Sequence, residues 1–159
     1  MRSIIKQAAL IFCGAMALCF QCEKEYSPIC TFFIGNYTDR ALTISISSTG
    51  DDDPIQMAIN PGGSRVVIHG FVFRDNNTEA AFGQMLEMVF PNLEGGKVDV
   101  LSTDDMLLKT WSFSSKDLPC KQFFKESSWQ HYQEHKGEYL RYTWVFDILP
   151  EDIVYEHES

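Results

Sequence analysis

The sequence predicts a mainly β fold, a two-layer antiparallel, immunoglobulin-like β-sandwich with one or two short helices. Two observations carry this. Six or seven short apolar runs are separated by Gly, Pro, Asn and Asp turns, and two of the runs alternate apolar and polar residues with the period of two that marks a half-buried strand. A chain of 159 residues with 45% hydrophobic and 13% aromatic side chains can bury enough apolar surface to offset its ordering entropy. Its length suits one ordinary domain, here expected over residues 29–159.

Thr31 to Tyr37 is apolar and aromatic and reads as the first strand, closed by the turn formers Asn36-Tyr37-Thr38-Asp39-Arg40. In Ala41 to Ser48, Leu42, Ile44 and Ile46 alternate with Thr43, Ser45 and Ser47, the clearest strand in the chain. Gly50 to Pro54 breaks it, Ile55 to Ile59 is a short run, and Asn60-Pro61-Gly62-Gly63 turns into a β-rich segment over Val66 to Phe73. Thr78 to Phe90 changes period. Ala81, Met85 and Met88, and Phe82, Leu86 and Val89, recur at three to four residues, with Thr78 placed to cap and Pro91 to stop, which predicts a helix. Lys97 to Leu101 and Met106 to Phe113 form a predicted hairpin across Ser102-Thr103-Asp104-Asp105. Leu140, Tyr142, Trp144, Phe146 and Ile148 then alternate with Arg141, Thr143 and Asp147 in a closing strand.

The N-terminus reads as an address rather than as fold. Residues 1 to 6 carry Arg2 and Lys6 and no acid, and Ala8 to Phe20 is apolar with small residues, the n-region and h-region of a secretory signal over residues 1–21. The apolar run is well short of the ~20 residues a membrane-spanning helix needs. Leu18-Cys19-Phe20-Gln21-Cys22-Glu23-Lys24 resembles a bacterial lipobox, in which the cysteine is acylated and becomes the first mature residue. Gln21 is larger than the residue such boxes prefer before the cysteine. The resemblance implies a lipid at Cys22, a tether over 22–28 and an outer-membrane lipoprotein of the cell envelope, exposed at the cell surface. The alternative is cleavage after Ala15-Met16-Ala17, which releases a secreted or periplasmic protein.

Together with that box, Phe32-x-Ile34-x-Asn36-x-Thr38, the Asn60-Pro61-Gly62-Gly63 turn and the terminal Pro150-Glu151-Asp152-Ile153 are similar to the small uncharacterised lipoproteins of Bacteroidetes. That resemblance implies an envelope location and no particular activity.

Charge and cysteines bound the partners. The chain carries −9, and without Arg2 and Lys6 the mature part carries −11, a field that repels polyanions, so nucleic acid is not an expected partner. With Cys13 and Cys19 in the signal and Cys22 lipidated, Cys30 and Cys120 remain as a pair. In an oxidising compartment they are expected to be bridged, the alternative being two buried reduced thiols.

Chemistry-bearing patterns are sparse. His131-Tyr132-Gln133-Glu134-His135 matches the H-x-x-E-H of inverzincin metalloproteases, but only 24 residues follow His135 to supply a third ligand. On a helix starting near Ser127, His131 and His135 would point away from Trp129 and Tyr132 and be solvated, dispensable side chains. Asp51-Asp52-Asp53 lacks the ligand spacing of an EF-hand and reads as a solvated loop. There is no G-x-S-x-G elbow and no phosphate-cradling glycine motif, so no cofactor is expected. Trp111 and Trp144 fall in strand patterns and belong in a core. Trp129, in a loop or short helix, is the candidate for an exposed contact. The expected function is a non-catalytic, membrane-tethered binding or interaction module for a protein or glycan partner. The alternatives are a small metal-dependent hydrolase using His131, Glu134 and His135, or a structural subunit of a surface assembly.

Overall fold

A computed structural model describes residues 28–49, 53–73, 78–136 and 139–153. The signal segment, Cys22, Asp51 and Asp52 lie outside these residues. Among the described residues, eight strands and one α-helix follow in the order β1 (Ile29–Asn36), β2 (Leu42–Ser47), β3 (Ile55–Ile59), β4 (Ser64–Val72), α1 (Thr78–Val89), β5 (Lys97–Leu101), β6 (Leu107–Ser112), β7 (Gln130–Lys136) and β8 (Tyr139–Ile148). Four strands in the order β4-β1-β8-β7 form one sheet, and four in the order β3-β2-β5-β6 form the other. The fold is the expected β-rich sandwich. Its strand order is its own: β2 and β3 pair within one sheet, whereas the second and third strands of a constant-type immunoglobulin domain lie in opposite sheets.

The alternation read from the sequence becomes the two faces of each sheet. In β8, Leu140, Tyr142, Trp144, Phe146 and Ile148 are buried, while Tyr139 and Arg141 are exposed. Phe146 meets Trp111 of β6 edge-on, with ring centroids 5.0 Å apart, which joins the two sheets across the core. Phe32 of β1 stacks on Trp144 at 4.5 Å and on Phe71 of β4 at 6.0 Å. Burying Phe32, Trp111, Trp144 and Phe146, each at most 1% exposed, contributes about 2–3 kcal/mol apiece. Trp111 and Trp144 are core residues, as their strand positions predict.

Helix α1 turns Ala81, Phe82, Met85, Leu86 and Val89 inward, and Phe82 reaches Phe32 and Trp129 at 6.2 and 5.6 Å. Met88, counted in the apolar stripe from its spacing, is half exposed. The residue that closes the helix is Phe90. Its N–H still bonds Leu86 O, and its ring packs against Phe124 at 4.9 Å.

One pairing departs from the antiparallel expectation. β1 and β8 run parallel, with Phe32 opposite Trp144 and Ile34 opposite Phe146. More than a hundred residues separate these strands, so no hairpin fixes their relative direction, and alternation within a strand is the same for either direction.

The corner after β1 is held by Asn36, which is fully buried. Its Nδ2 donates to Arg40 O (2.7 Å) and Ile59 O (2.9 Å), and its Oδ1 accepts from the N–H and hydroxyl of Thr38. Its main chain pairs with the glycine turn: Asn36 N–H donates to Gly63 O and Gly62 N–H to Asn36 O, the second at 2.8 Å. Gly62 has φ +69°, a left-handed conformation that favours glycine. The Phe-x-Ile-x-Asn-x-Thr strand and the Asn-Pro-Gly-Gly turn are thus two halves of one joint.

Candidate functional site

The segment 131–135 is not helical. Gln130–Lys136 is the edge strand β7, paired antiparallel to β8 with His131 opposite Trp144 and Glu134 opposite Arg141. On a strand, His131 and His135 share one face and Glu134 lies on the other, so the helical one-turn geometry of an H-x-x-E-H site is not formed. Both histidines are exposed, as expected, but not for the reason of helical phase. His131 stacks on Trp144, with centroids 4.7 Å apart and planes at 26°, and meets Tyr142 edge-on at 5.3 Å. Burial lowers its pKa, opposed by the charge of Glu126. Among the described residues, no three His, Cys, Asp or Glu side chains are grouped to hold a metal ion.

Trp129 is likewise corrected. It is 6% exposed and donates from Nε1 to Phe123 O at 2.7 Å, with Phe123 and Phe146 against its ring. The irregular segment 113–129 folds back over the sandwich and uses Trp129 as core. The expected bridge between Cys30 and Cys120 is absent, and both thiols are free. Cys30 faces the interior opposite Tyr142 and is completely buried, whereas Cys120 is exposed in the segment before β7. A bridge requires the two sulfurs about 2 Å apart, which one interior and one surface position do not provide. Burial alone pushes the Cys30 thiol up to about 12.

The outer face of the β4-β1-β8-β7 sheet presents a different group of residues. Asp147 of β8 lies opposite Gly35 of β1, and on the other side Gln130 of β7 donates from Nε2 to Asp147 Oδ2. Tyr132, two residues on and therefore on the same face, donates its hydroxyl to Gln130 Oε1. Across β1, a Cβ on Gly35 would lie 3.0 Å from both Asp147 Oδ1 and the ring of Tyr37, so the absent side chain is what lets the tyrosine and the carboxylate converge. Asp147 Oδ1 is buried without a hydrogen-bond partner. Burial raises the Asp147 pKa, while the Lys121 ammonium and the Gln130 hydrogen bond lower it. Lys121 secures the end of the strand by donating to Asp147 O and, at 2.7 Å, to Asp152 Oδ2.

The result is a row, Tyr132–Gln130–Asp147–Gly35–Tyr37, that crosses three paired strands with an exposed tyrosine at each end (54% for Tyr132, 60% for Tyr37). Nothing in the sequence marked it, because its members come from three separated segments and meet through strand register alone. The one available signal was Asp147, the acid of the alternating closing strand β8.

No protein-family model matches the chain, and no curated protein matches it either. Among the described residues, no helix is long and apolar enough to cross a membrane.

Proposed function

We propose that the chain is a non-catalytic envelope lipoprotein, acylated at Cys22, that holds its β-sandwich at the outer membrane as a binding module for a glycan. The observation that carries the binding reading is the hydrogen-bonded row on the outer sheet face. Exposed Gln and Tyr side chains ordinarily sample several rotamers, and ordering each on binding costs about 0.5–1.5 kcal/mol. Here Asp147 fixes the Gln130 carboxamide and Gln130 fixes the Tyr132 hydroxyl before any ligand arrives, on strands rather than loops. A sugar suits such a row. Its C–H faces pack on tyrosine rings, and its hydroxyls, each donor and acceptor, match carboxamide and carboxylate groups. The tether reading rests on the lipobox resemblance, and the mature net charge of −11 disfavours nucleic acid.

An array of defined oligosaccharides, probed with the purified protein beside Tyr132→Ala and Tyr37→Ala, tests the binding reading. Retention of a subset of sugars, weakened by each substitution by about 1 kcal/mol or more with unchanged melting, is the expected result. An array with no retained sugar, or retention indifferent to both substitutions, overturns it. Fractionation of cells expressing Cys22→Ser tests the tether: the variant should leave the membrane fraction, and its persistence there refutes acylation.

A further inference from the structure

The two tyrosines of the outer-face row stand well apart, and the sheet between them is apolar. Tyr132 lies opposite Thr143 of β8, whereas Asp147, farther along the same strand, lies opposite Gly35 of β1. From Thr143 to Asp147 the chain advances about 13 Å, and from β7 to β1 is two strand spacings, about 10 Å, so the Cα atoms of Tyr132 and Gly35 are roughly 16 Å apart. The Tyr37 ring folds back onto Gly35, where an added Cβ would lie 3.0 Å from it. On the same face, between the levels of Thr143 and Asp147, Val145 sits directly opposite Phe33 of β1, and both side chains are half-buried. A ligand that reaches from one tyrosine to the other therefore crosses Val145 and Phe33, with the bonded Gln130 carboxamide and Asp147 carboxylate beside it.

We infer that this face takes a neutral, linear oligosaccharide of three or more sugars, laid diagonally across β7, β8 and β1. The inference rests on the glycan reading of the same row and adds length and charge to it. Length follows from the span. A pyranose ring is about as wide as one strand spacing, ~4.8 Å, so a single sugar stacks on one tyrosine only. Three or more in a line place a ring on each tyrosine and set the C–H faces of those between on Val145 and Phe33, while their hydroxyls meet Gln130 and Asp147.

Charge follows from what the row holds. Asp147 places a carboxylate within it, and Lys121, the cation that acts on that carboxylate, is held by Asp147 O and Asp152 Oδ2. Arg141, exposed on the same face, stands opposite Glu134. With a mature net charge of −11 around these groups, an acidic sugar meets repulsion where a neutral one meets none.

Calorimetric titration of the purified full chain at low salt provides the test. The ligands are oligomers of glucose, mannose and N-acetylglucosamine, graded from one to six sugars, and oligogalacturonates of the same lengths. For a neutral series that binds, affinity should rise about fivefold or more between two and four sugars, the worth of one added ring contact. The acidic series should bind about tenfold more weakly at equal length. Tyr37→Ala, at an exposed position, should remove the gain with length, so that four sugars bind no tighter than two, without moving the melting temperature. A monosaccharide bound as tightly as the tetrasaccharide, a length gain that survives Tyr37→Ala, or acidic chains bound equally well overturns this inference and leaves the glycan reading standing. Binding of none of these sugars also overturns it, and together with an oligosaccharide array that retains nothing it removes the glycan reading as well.

Discussion

Thr38 donates twice to Asn36 Oδ1, from its main-chain N–H at 3.0 Å and from its hydroxyl at 2.7 Å. With the two bonds from Asn36 Nδ2 to Arg40 O and Ile59 O, the carboxamide has a partner for both donors and twice for its acceptor, inside a site closed to water. Asn36→Ala leaves those partners orphaned and opens the corner where β1, β3 and the Gly62 turn meet. We expect a loss of about 3 kcal/mol in urea unfolding. Asn36→Asp keeps the acceptor and loses both donors while placing a carboxylate against two carbonyls, and it should be no more stable than the alanine variant. A loss under about 1 kcal/mol for Asn36→Ala would show that the joint does not organise the sandwich.

The three tryptophans are all buried but are not equivalent. Trp111 Nε1 donates to Lys121 O at 3.0 Å and Trp129 Nε1 to Phe123 O at 2.7 Å, whereas Trp144 Nε1 is buried without a partner. Replacing Trp by Phe removes similar volume at each site. At 111 and 129 it also strands a carbonyl, while at 144 it removes an unsatisfied donor. Trp144→Phe should therefore cost about 1 kcal/mol less than Trp129→Phe in chemical denaturation. Equal costs would mean that the Trp144 donor carries no penalty.

Two glycines outside the left-handed region give opposite expectations. A Cβ on Gly95 would lie 2.2 Å from Thr49 Oγ1 and 2.8 Å from Thr49 N, so Gly95→Ala must displace main chain and should cost about 2 kcal/mol or more. Gly83 lies within α1 with nothing within 4 Å of its added Cβ, so Gly83→Ala should stabilise by about 0.5–1 kcal/mol. Thermal melts of the two variants should move in opposite directions, and a stabilised Gly95→Ala would contradict the packing of the Gly95 turn on Thr49.

The strands were legible where apolar core positions alternate with polar ones, as in Leu42–Ser47 and Tyr139–Ile148: the apolar residues of both are buried, and the polar ones between them range from the exposed Arg141 to Ser45, itself covered in a central strand. Which strand neighbours which is not recorded in the period, so the parallel β1–β8 pair was invisible, and the Asp147–Gly35 contact that depends on it was invisible too. The segment 130–136 misled for a related reason. It is polar on both faces because it is an edge strand, and His131 and His135 at i and i+4 fit a helix turn as well as every second strand position. Trp129 sits in irregular chain that is nonetheless core, where Phe123, Phe124 and Trp129 bury themselves without any period to announce it.

His131 ties edge strand β7 to the core through its stack on Trp144, and the tie depends on pH. Burial lowers the imidazole pKa in the folded protein, and the Glu126 charge only partly opposes this. As pH falls through the ordinary histidine value of about 6.5, the unfolded chain therefore protonates before the native one. The unfolded state then binds more protons, so stability falls as pH falls across that interval. The slope vanishes once the lowered native value has been passed and both states are charged. His131→Gln removes the titrating group, so the wild-type and variant stability curves should converge from about pH 8 towards pH 5 as the wild type loses its advantage. At the upper end His131→Ala should cost about 0.5–1.5 kcal/mol, the worth of an aromatic pair. Urea midpoints across that range read both effects. Parallel wild-type and His131→Gln curves would show that the imidazole titrates alike in the folded and unfolded chain, and that its stack on Trp144 does not shield it from water.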